Sequence, residues 1–182
     1  MRKINKIAVL GSGVMGSRIA CHFANIGLEV ILLDIAPREL DTNETTKGLT
    51  LEHKAVKNRI VNSALTSAIK ANPSPLYRKS EANRIQTGNF DDDLHKIADC
   101  DWTIEVVIEN LDIKKKVFTE VEKHRKPGTL ITVHLLSLSS SLFVNVFKLS
   151  PRVDCGLNGV GALMNGFTSF THCSRSSAVP PL

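Results

Sequence analysis

Five short runs rich in apolar and β-branched residues recur through the first 130 residues, separated by amphipathic or polar stretches. Short apolar runs of this length are typical of strands buried within a sheet. We therefore predict five strands, at "KIAVLG" (6–11), "LEVILLD" (28–34), "RIQTGNF" (84–90), "DWTIEVVIE" (101–109) and "TLIT" (129–132).

Helical periodicity fills the intervals between these runs. After the first run, Met15, Ile19, Phe23 and Ile26 are spaced three or four apart, and Gly27 marks the end of that helix. A long periodic segment extends from about 49 to 71, a short helix opens with three aspartates at 91–93, and an amphipathic helix covers 112–128. The order predicts an α/β fold with a doubly wound, mainly parallel sheet in three α/β/α layers, with a long helical insertion between strands 2 and 3.

The pattern ends after Thr132. Only four charged residues follow Ile131, namely Lys148, Arg152, Asp154 and Arg175, and neither helical nor strand periodicity is sustained. We therefore expect one domain at 3–132 and an aberrant or poorly ordered tail at 133–182.

Bulk properties narrow the function classes. The 182 residues suit one domain, and a net charge of +5 spread among acids does not indicate a nucleic-acid partner. No apolar stretch approaches the roughly 18–20 residues of a membrane helix. We expect a soluble, cytoplasmic protein. The four cysteines lack metal-ligand spacing, so we expect free thiols and no metal.

The loop after the first strand has the composition of a phosphate-binding turn. "GSGVMG" comprises Gly11, Ser12, Gly13, Val14, Met15 and Gly16. In the GxGxxG spacing, the first glycine makes the tight turn, the second admits the pyrophosphate, and the third allows close packing of helix and strand. The helix N-terminus adds free N–H groups and partial positive charge. This context predicts a Rossmann-type dinucleotide site.

Asp34 ends the second strand, about twenty residues beyond the loop. A carboxylate at this position accepts hydrogen bonds from the adenosine ribose and repels a 2′-phosphate. We therefore predict NAD as the cofactor, in preference to NADP. The alternative is that the glycines serve only the turn and that Asp34 caps a helix.

Two stretches, "KIAVLGSGVMGSRIACHFANIGLEVILLD" and "DWTIEVVIENLDIKKKVFTEVEKHRKPGTLIT", resemble the NAD-binding domain of the 3-hydroxyacyl-CoA dehydrogenases of fatty-acid β-oxidation. The likeness covers about 3–132, including the insertion. It implies a helical arm that helps to hold coenzyme A, and it puts Glu109 and Lys114 near the nicotinamide side of NAD. A helix-capping or surface acid is the alternative for Glu109, and a solvated face is the alternative for Lys114.

The arm bases Lys54, Lys57 and Arg59 could meet the phosphates of coenzyme A or form the solvated face of a helix. We favour the solvated face.

The likeness stops after "LIT". The family continues with Ser-Asn-Thr-Ser and later His-Phe-Phe-x-Pro, whose histidine is the general base, whereas this chain has "VHLLS". We assign no catalytic role to His134 or His172, and we expect the helical substrate domain and the homodimer interface to be missing. Loss of two bases from a plausible message for Ile-Thr-Ser-Asn-Thr-Ser-Ser yields the observed residues 131–137, so a frameshift is our hypothesis.

These observations predict the NAD-binding portion of an enzyme that oxidises 3-hydroxyacyl-CoA to 3-oxoacyl-CoA, in a fragment that is catalytically incomplete. The alternatives are a non-catalytic dinucleotide-binding module, a truncated product without function, and a different dehydrogenase whose base lies in the tail.

Overall fold

The computed structural model describes residues 3–108 and 110–133. These residues build one parallel five-stranded sheet in the order β3-β2-β1-β4-β5. The strands are β1 (Lys6–Leu10), β2 (Glu29–Asp34), β3 (Ile85–Asn89), β4 (Trp102–Glu105) and β5 (Leu130–Val133). The predicted five-strand parallel sheet is therefore confirmed.

Helices connect the strands. They are α1 (Val14–Asn25), α2 (Thr42–Thr46), α3 (Lys54–Lys57), α4 (Arg59–Lys70), α5 (Phe90–Asp93) and α6 (Leu111–His124), with 3-10 helices at Lys79–Arg84 and Leu94–Asp99. Asn110 caps α6, because its side-chain oxygen accepts hydrogen bonds from the backbone N–H groups of Asp112 and Ile113.

The sheet has a separate apolar core on each face. Alternate residues of β1 divide between them: Ile7 and Val9 pack with α1 and α4, whereas Ala8 and Leu10 pack with Val121 of α6. This alternation follows from the two-residue repeat of a strand. The three-layer α/β/α architecture is therefore confirmed.

The helix predicted after the first strand is confirmed as α1, and its periodic apolar residues differ in burial. Ile19 and Phe23 are partly buried against the core, whereas Met15 and Ile26 are exposed. The fully buried apolar residues of the helix are Ala20, Cys21 and Ala24. Small side chains let the helix axis approach the sheet closely, so the larger apolar residues lie at the edges of the contact.

The bounds predicted for the long helix at 49–71 are wrong. The residues before Lys54 are not part of it, and Asn58 interrupts the rest between α3 and α4. The Asn58 side chain is buried and its oxygen accepts a hydrogen bond of 2.8 Å from Asn89 Nδ2. This contact fixes the break beside the carboxyl end of β3.

The strand predicted for 101–109 ends four residues early, at Glu105. Glu109 lies outside the described residues, as do His134, His172, Cys155, Cys173 and the predicted tail from residue 134 onward. Cys21 and Cys100 are free and buried, as predicted for thiols. Within the described ranges, no helix is long and apolar enough to cross a membrane.

Candidate functional site

The carboxyl ends of the three central strands meet at one edge of the sheet. Leu10 of β1 is paired with Leu33 of β2 on one side and with Glu105 of β4 on the other. The chain leaves β1 toward β2, whereas β4 continues toward β5, so the strand order reverses between β1 and β4. Open α/β sheets bind their ligands at such a switch point.

Gly11 turns the chain at this edge. Its φ of +103° lies in the left-handed region that favours glycine. Its N–H donates to the carbonyl oxygen of Leu33 at 2.8 Å, and a Cβ at this position would lie 2.7 Å from the carbonyl oxygen of Val106. The turn is therefore enclosed between β2 and the segment that follows β4.

Gly13 and Gly16 have opposite surroundings. A Cβ on Gly16 would overlap the carbonyl oxygen of Gly11, so this glycine allows α1 to pack on the loop. A Cβ on Gly13 would meet nothing within 4 Å, and Gly13 is the N-cap residue of α1. The backbone at Gly13 and the N-terminus of α1 is therefore open to close approach, which is what a bound pyrophosphate requires at this position.

Asp34 is tied to the loop. Its Oδ2 accepts hydrogen bonds from the backbone N–H of Ser12 at 2.6 Å and from the Ser12 hydroxyl, while Oδ1 accepts from the N–H of Ile35 at 2.7 Å. A carboxylate offers about four acceptor positions. Three are used here, which leaves an acceptor for a ribose hydroxyl. Asp34 is thus bonded to the loop, which neither sequence-based alternative described.

Lys114 lies inside the protein. Its side chain is fully buried, and its Nζ is 3.2 Å from Oε2 of Glu105, which is fully buried as well. The solvated face offered as the alternative for Lys114 is therefore wrong. Sequence reasoning also missed Glu105, although an acid within an apolar run at the end of a strand is a signal for a buried polar contact.

The bases of the arm contact acids of this chain. Lys57 forms ion pairs with Glu52 at 2.9 Å and with Asp92 at 3.2 Å. Arg59 pairs with Glu44. Lys54, at the start of α3, is exposed. Among the residues that the structure describes, no group of His, Cys, Asp and Glu could hold a metal ion.

The doubly wound sheet, the glycine turn and the carboxylate at the end of β2 define an α/β domain that binds a dinucleotide. A sequence model of the family "3-hydroxyacyl-CoA dehydrogenase, NAD binding domain" matches residues 6–153. The chain belongs to this family, and its cofactor is NAD.

Two curated relatives carry the family name. The chain is 46% identical over 138 residues to a probable 3-hydroxyacyl-CoA dehydrogenase of Bacillus subtilis, covering 76% of this chain and 18% of the relative. It is 38% identical over 130 residues to a probable 3-hydroxyacyl-CoA dehydrogenase of Deinococcus radiodurans, covering 71% of this chain and 34% of the relative. The chain thus spans about a third or less of each of these relatives.

Solved structures share the fold. A diketoreductase matches with a TM-score of 0.51 and 26% identity, over 80% of this chain and 47% of that one. (S)-3-hydroxybutyryl-CoA dehydrogenase from Ralstonia eutropha matches with a TM-score of 0.51 and 24% identity, over 79% of this chain and 45% of that one. These likenesses agree with the Rossmann-type architecture.

Proposed function

We propose that this chain forms the cofactor half of a 3-hydroxyacyl-CoA dehydrogenase, which oxidises the 3-hydroxyl of an acyl-CoA to a ketone. When bound, NAD supplies the hydride acceptor. The chain's own residues bind the cofactor and orient it at the end of the sheet. The observation that supports this most directly is the link between Asp34 and Ser12, which joins the ribose-binding acid to the glycine turn.

The loop geometry supports a set of proposed cofactor contacts. The N–H groups at the start of α1 face the pyrophosphate, and Gly13 leaves room for it. The remaining acceptor of Asp34 takes a ribose hydroxyl. The side chains of Val14 and Met15 are exposed at the same edge, where they offer apolar contact to the dinucleotide. Glu109 and Lys114 are assigned to its nicotinamide side by family resemblance.

On the helical arm, we propose a substrate contact through fewer than the three basic residues that the sequence offered. Lys57 and Arg59 are already paired with acids, so a phosphate there would compete with those carboxylates for the positive charge and the N–H donors. Lys54 is exposed and lies close enough to Asp93 to help lower the pKa of that carboxyl. Of the three basic residues, we therefore propose Lys54 as the one that contacts the coenzyme A phosphates.

The experiment has two arms. Calorimetric titration with NAD tests the cofactor half, and NADH oxidation driven by acetoacetyl-CoA tests turnover. We expect saturable NAD binding with little or no turnover by this chain alone, because "VHLLS" replaces the polar family motif and a missing general base typically lowers a rate by about 10² to 10⁴. Absence of NAD binding in a folded sample would contradict the proposal. Turnover at an ordinary dehydrogenase rate would favour the alternative of a base in the tail.

We also propose that residues from about 133 onward are translated out of frame. The support is the abrupt loss of charged residues after Ile131 and the two-base change that generates residues 131–137. The family match extends to residue 153, across this boundary. The DNA sequence through codons 125–182 is therefore the deciding observation, and an undisturbed frame across codons 131–137 would refute the proposal.

A further inference from the structure

We propose that Glu105 is a positioning residue for the nicotinamide half of the cofactor site, acting through Lys114. This inference rests on the proposed function. Glu105 is the last residue of β4 and is paired in register with Leu10, the residue before the glycine turn. It therefore stands at the switch point itself, under the place where a dinucleotide crosses from one side of the sheet to the other.

One carboxylate joins three parts of the site. Oε1 of Glu105 accepts a hydrogen bond of 2.8 Å from the N–H of Val107, in the segment that follows β4. Oε2 accepts a hydrogen bond of 3.2 Å from Nζ of Lys114, in the second turn of α6. The strand end, the following segment and the helix are thereby held in one arrangement.

The ion pair of Glu105 and Lys114 differs from the other ion pairs in its burial. Among the ion pairs of the described ranges, only Glu105 and Lys114 have both side chains fully buried. Removing two charges from water is unfavourable, and well-packed neutral replacements of buried pairs are often equally stable. A buried pair is therefore weak evidence for a role in stability, and its position at the ligand-binding edge points to a role in binding.

The geometry at the carboxyl ends of the strands indicates on which side the nicotinamide half of the dinucleotide lies. Asp34 lies on the β2 side, where it meets the glycine turn. Val106, next to Glu105, contacts the same turn from the β4 side: its N–H donates to the carbonyl oxygen of Leu10 at 2.8 Å. If Asp34 binds the adenosine ribose, the other half of the dinucleotide lies on the β4 side, above Glu105.

The test is the double variant E105Q/K114M, titrated with NAD and with ADP-ribose, which lacks the nicotinamide ring. Glutamine keeps an acceptor for the N–H of Val107, and methionine replaces the apolar stem of the lysine. We expect wild-type affinity for ADP-ribose and an increase of about tenfold in the dissociation constant for NAD, as for loss of one hydrogen bond to a charged group. Thermal unfolding close to that of the wild type would show that the effect is not a loss of folded protein.

Two results would overturn the inference. Unchanged affinity for both ligands would make the pair purely structural, and an equal loss for both would mean that it does not act on the nicotinamide half. K115M is the matched control, because Lys115 is the exposed neighbour of Lys114, and it should bind both ligands like the wild type.

If E105Q/K114M does not fold, K114R replaces it. Arginine retains the charge but its planar guanidinium requires a different geometry, so selective weakening of NAD is again expected, and unchanged NAD affinity refutes the inference. A wild-type protein that does not bind NAD would instead refute the proposed function.

Discussion

Gly13 and Gly16 lie three residues apart in one glycine motif, Gly13 at the N-cap of α1 and Gly16 in its first turn, and they have different roles. Gly16 is buried against the carbonyl oxygen of Gly11, whereas Gly13 borders open space at the start of α1. The first arrangement concerns packing and the second concerns the ligand. Substitution by alanine can therefore separate stability from cofactor binding within a single motif.

G16A should destabilise the fold, and G13A should weaken NAD binding. Forcing a methyl group into a packed contact costs about 1–3 kcal/mol, so urea denaturation of G16A should show that loss. G13A should unfold like the wild type, because its added Cβ meets nothing within 4 Å, but it should bind NAD more weakly in calorimetry. Wild-type NAD affinity in G13A would contradict the assignment of that space to the pyrophosphate.

Single residues also mark the limit of what the sequence predicted. The glycine spacing and Asp34 were recognisable because each occupies a fixed place relative to a strand end. The contact between Glu105 and Lys114 joins residues of different elements, and its burial depends on how α6 packs on the sheet. Sequence spacing carries no information about that packing angle, so Lys114 was expected at the surface or on the ligand.

At the scale of elements, Asn89 connects the helical insertion to the sheet. Its side-chain oxygen accepts a hydrogen bond from the N–H of Asp92 and so caps α5, while its Nδ2 donates to the side-chain oxygens of Asn58 and Asp92. Asn58 separates α3 from α4. A single buried amide thus sets both the start of one helix and the break between two others.

N89A should lower the free energy of unfolding by about 2–3 kcal/mol, because it removes a helix cap and leaves the buried Asn58 oxygen without this donor. Urea denaturation measures the loss. N43A is the control, since Asn43 is exposed on α2 and should change the unfolding free energy little. An equal effect of the two substitutions would show that the contact between Asn89 and Asn58 does not anchor the insertion.

Asp93 makes the same region sensitive to acid. Burial raises the pKa of Asp93, but the ion pair with Lys96, the backbone N–H of Asn89 and the charge of Lys54 together lower it below its ordinary value of 3.8. A carboxyl whose pKa is lower in the folded state stabilises the protein above its unfolded pKa, and this contribution is lost as the pH falls through the folded value.

The difference in unfolding free energy between the wild type and D93N should therefore be greatest at pH 5 to 7 and should shrink below about pH 4. Urea denaturation across this pH series provides the measurement. A difference that stays constant down to pH 2 would show that ionisation of Asp93 does not contribute.

The elements themselves were largely predictable. All five strands overlap the runs that predicted them. The signal is clearest for β1 and β2, because central strands buried on both faces have few polar residues. The helical spacing left the degree of burial open: α1 buries Ala20, Cys21 and Ala24 fully, and its larger residues Ile19 and Phe23 only partly. Periodicity identifies where apolar residues recur along a helix. Which of them are buried also depends on how closely the helix can approach its neighbour.

For the whole molecule, the sequence indicated a parallel sheet, and the structure adds the strand order that creates a ligand site. Strand order depends on contacts between residues far apart in sequence, such as Leu10 with both Leu33 and Glu105. The glycine turn, Asp34 and the buried pair of Glu105 and Lys114 all gather at that edge. This convergence is the physical basis for assigning NAD binding to the domain.

The most direct test of this account is a calorimetric comparison of NAD with NADP, using the wild type, D34N and the control E29Q at the opposite end of β2. We expect the wild type and E29Q to prefer NAD. We expect D34N to bind NAD about tenfold more weakly, because a charged acceptor for the ribose is lost, and to lose most of its discrimination against NADP. Equal or tighter binding of NADP by the wild type would contradict the account.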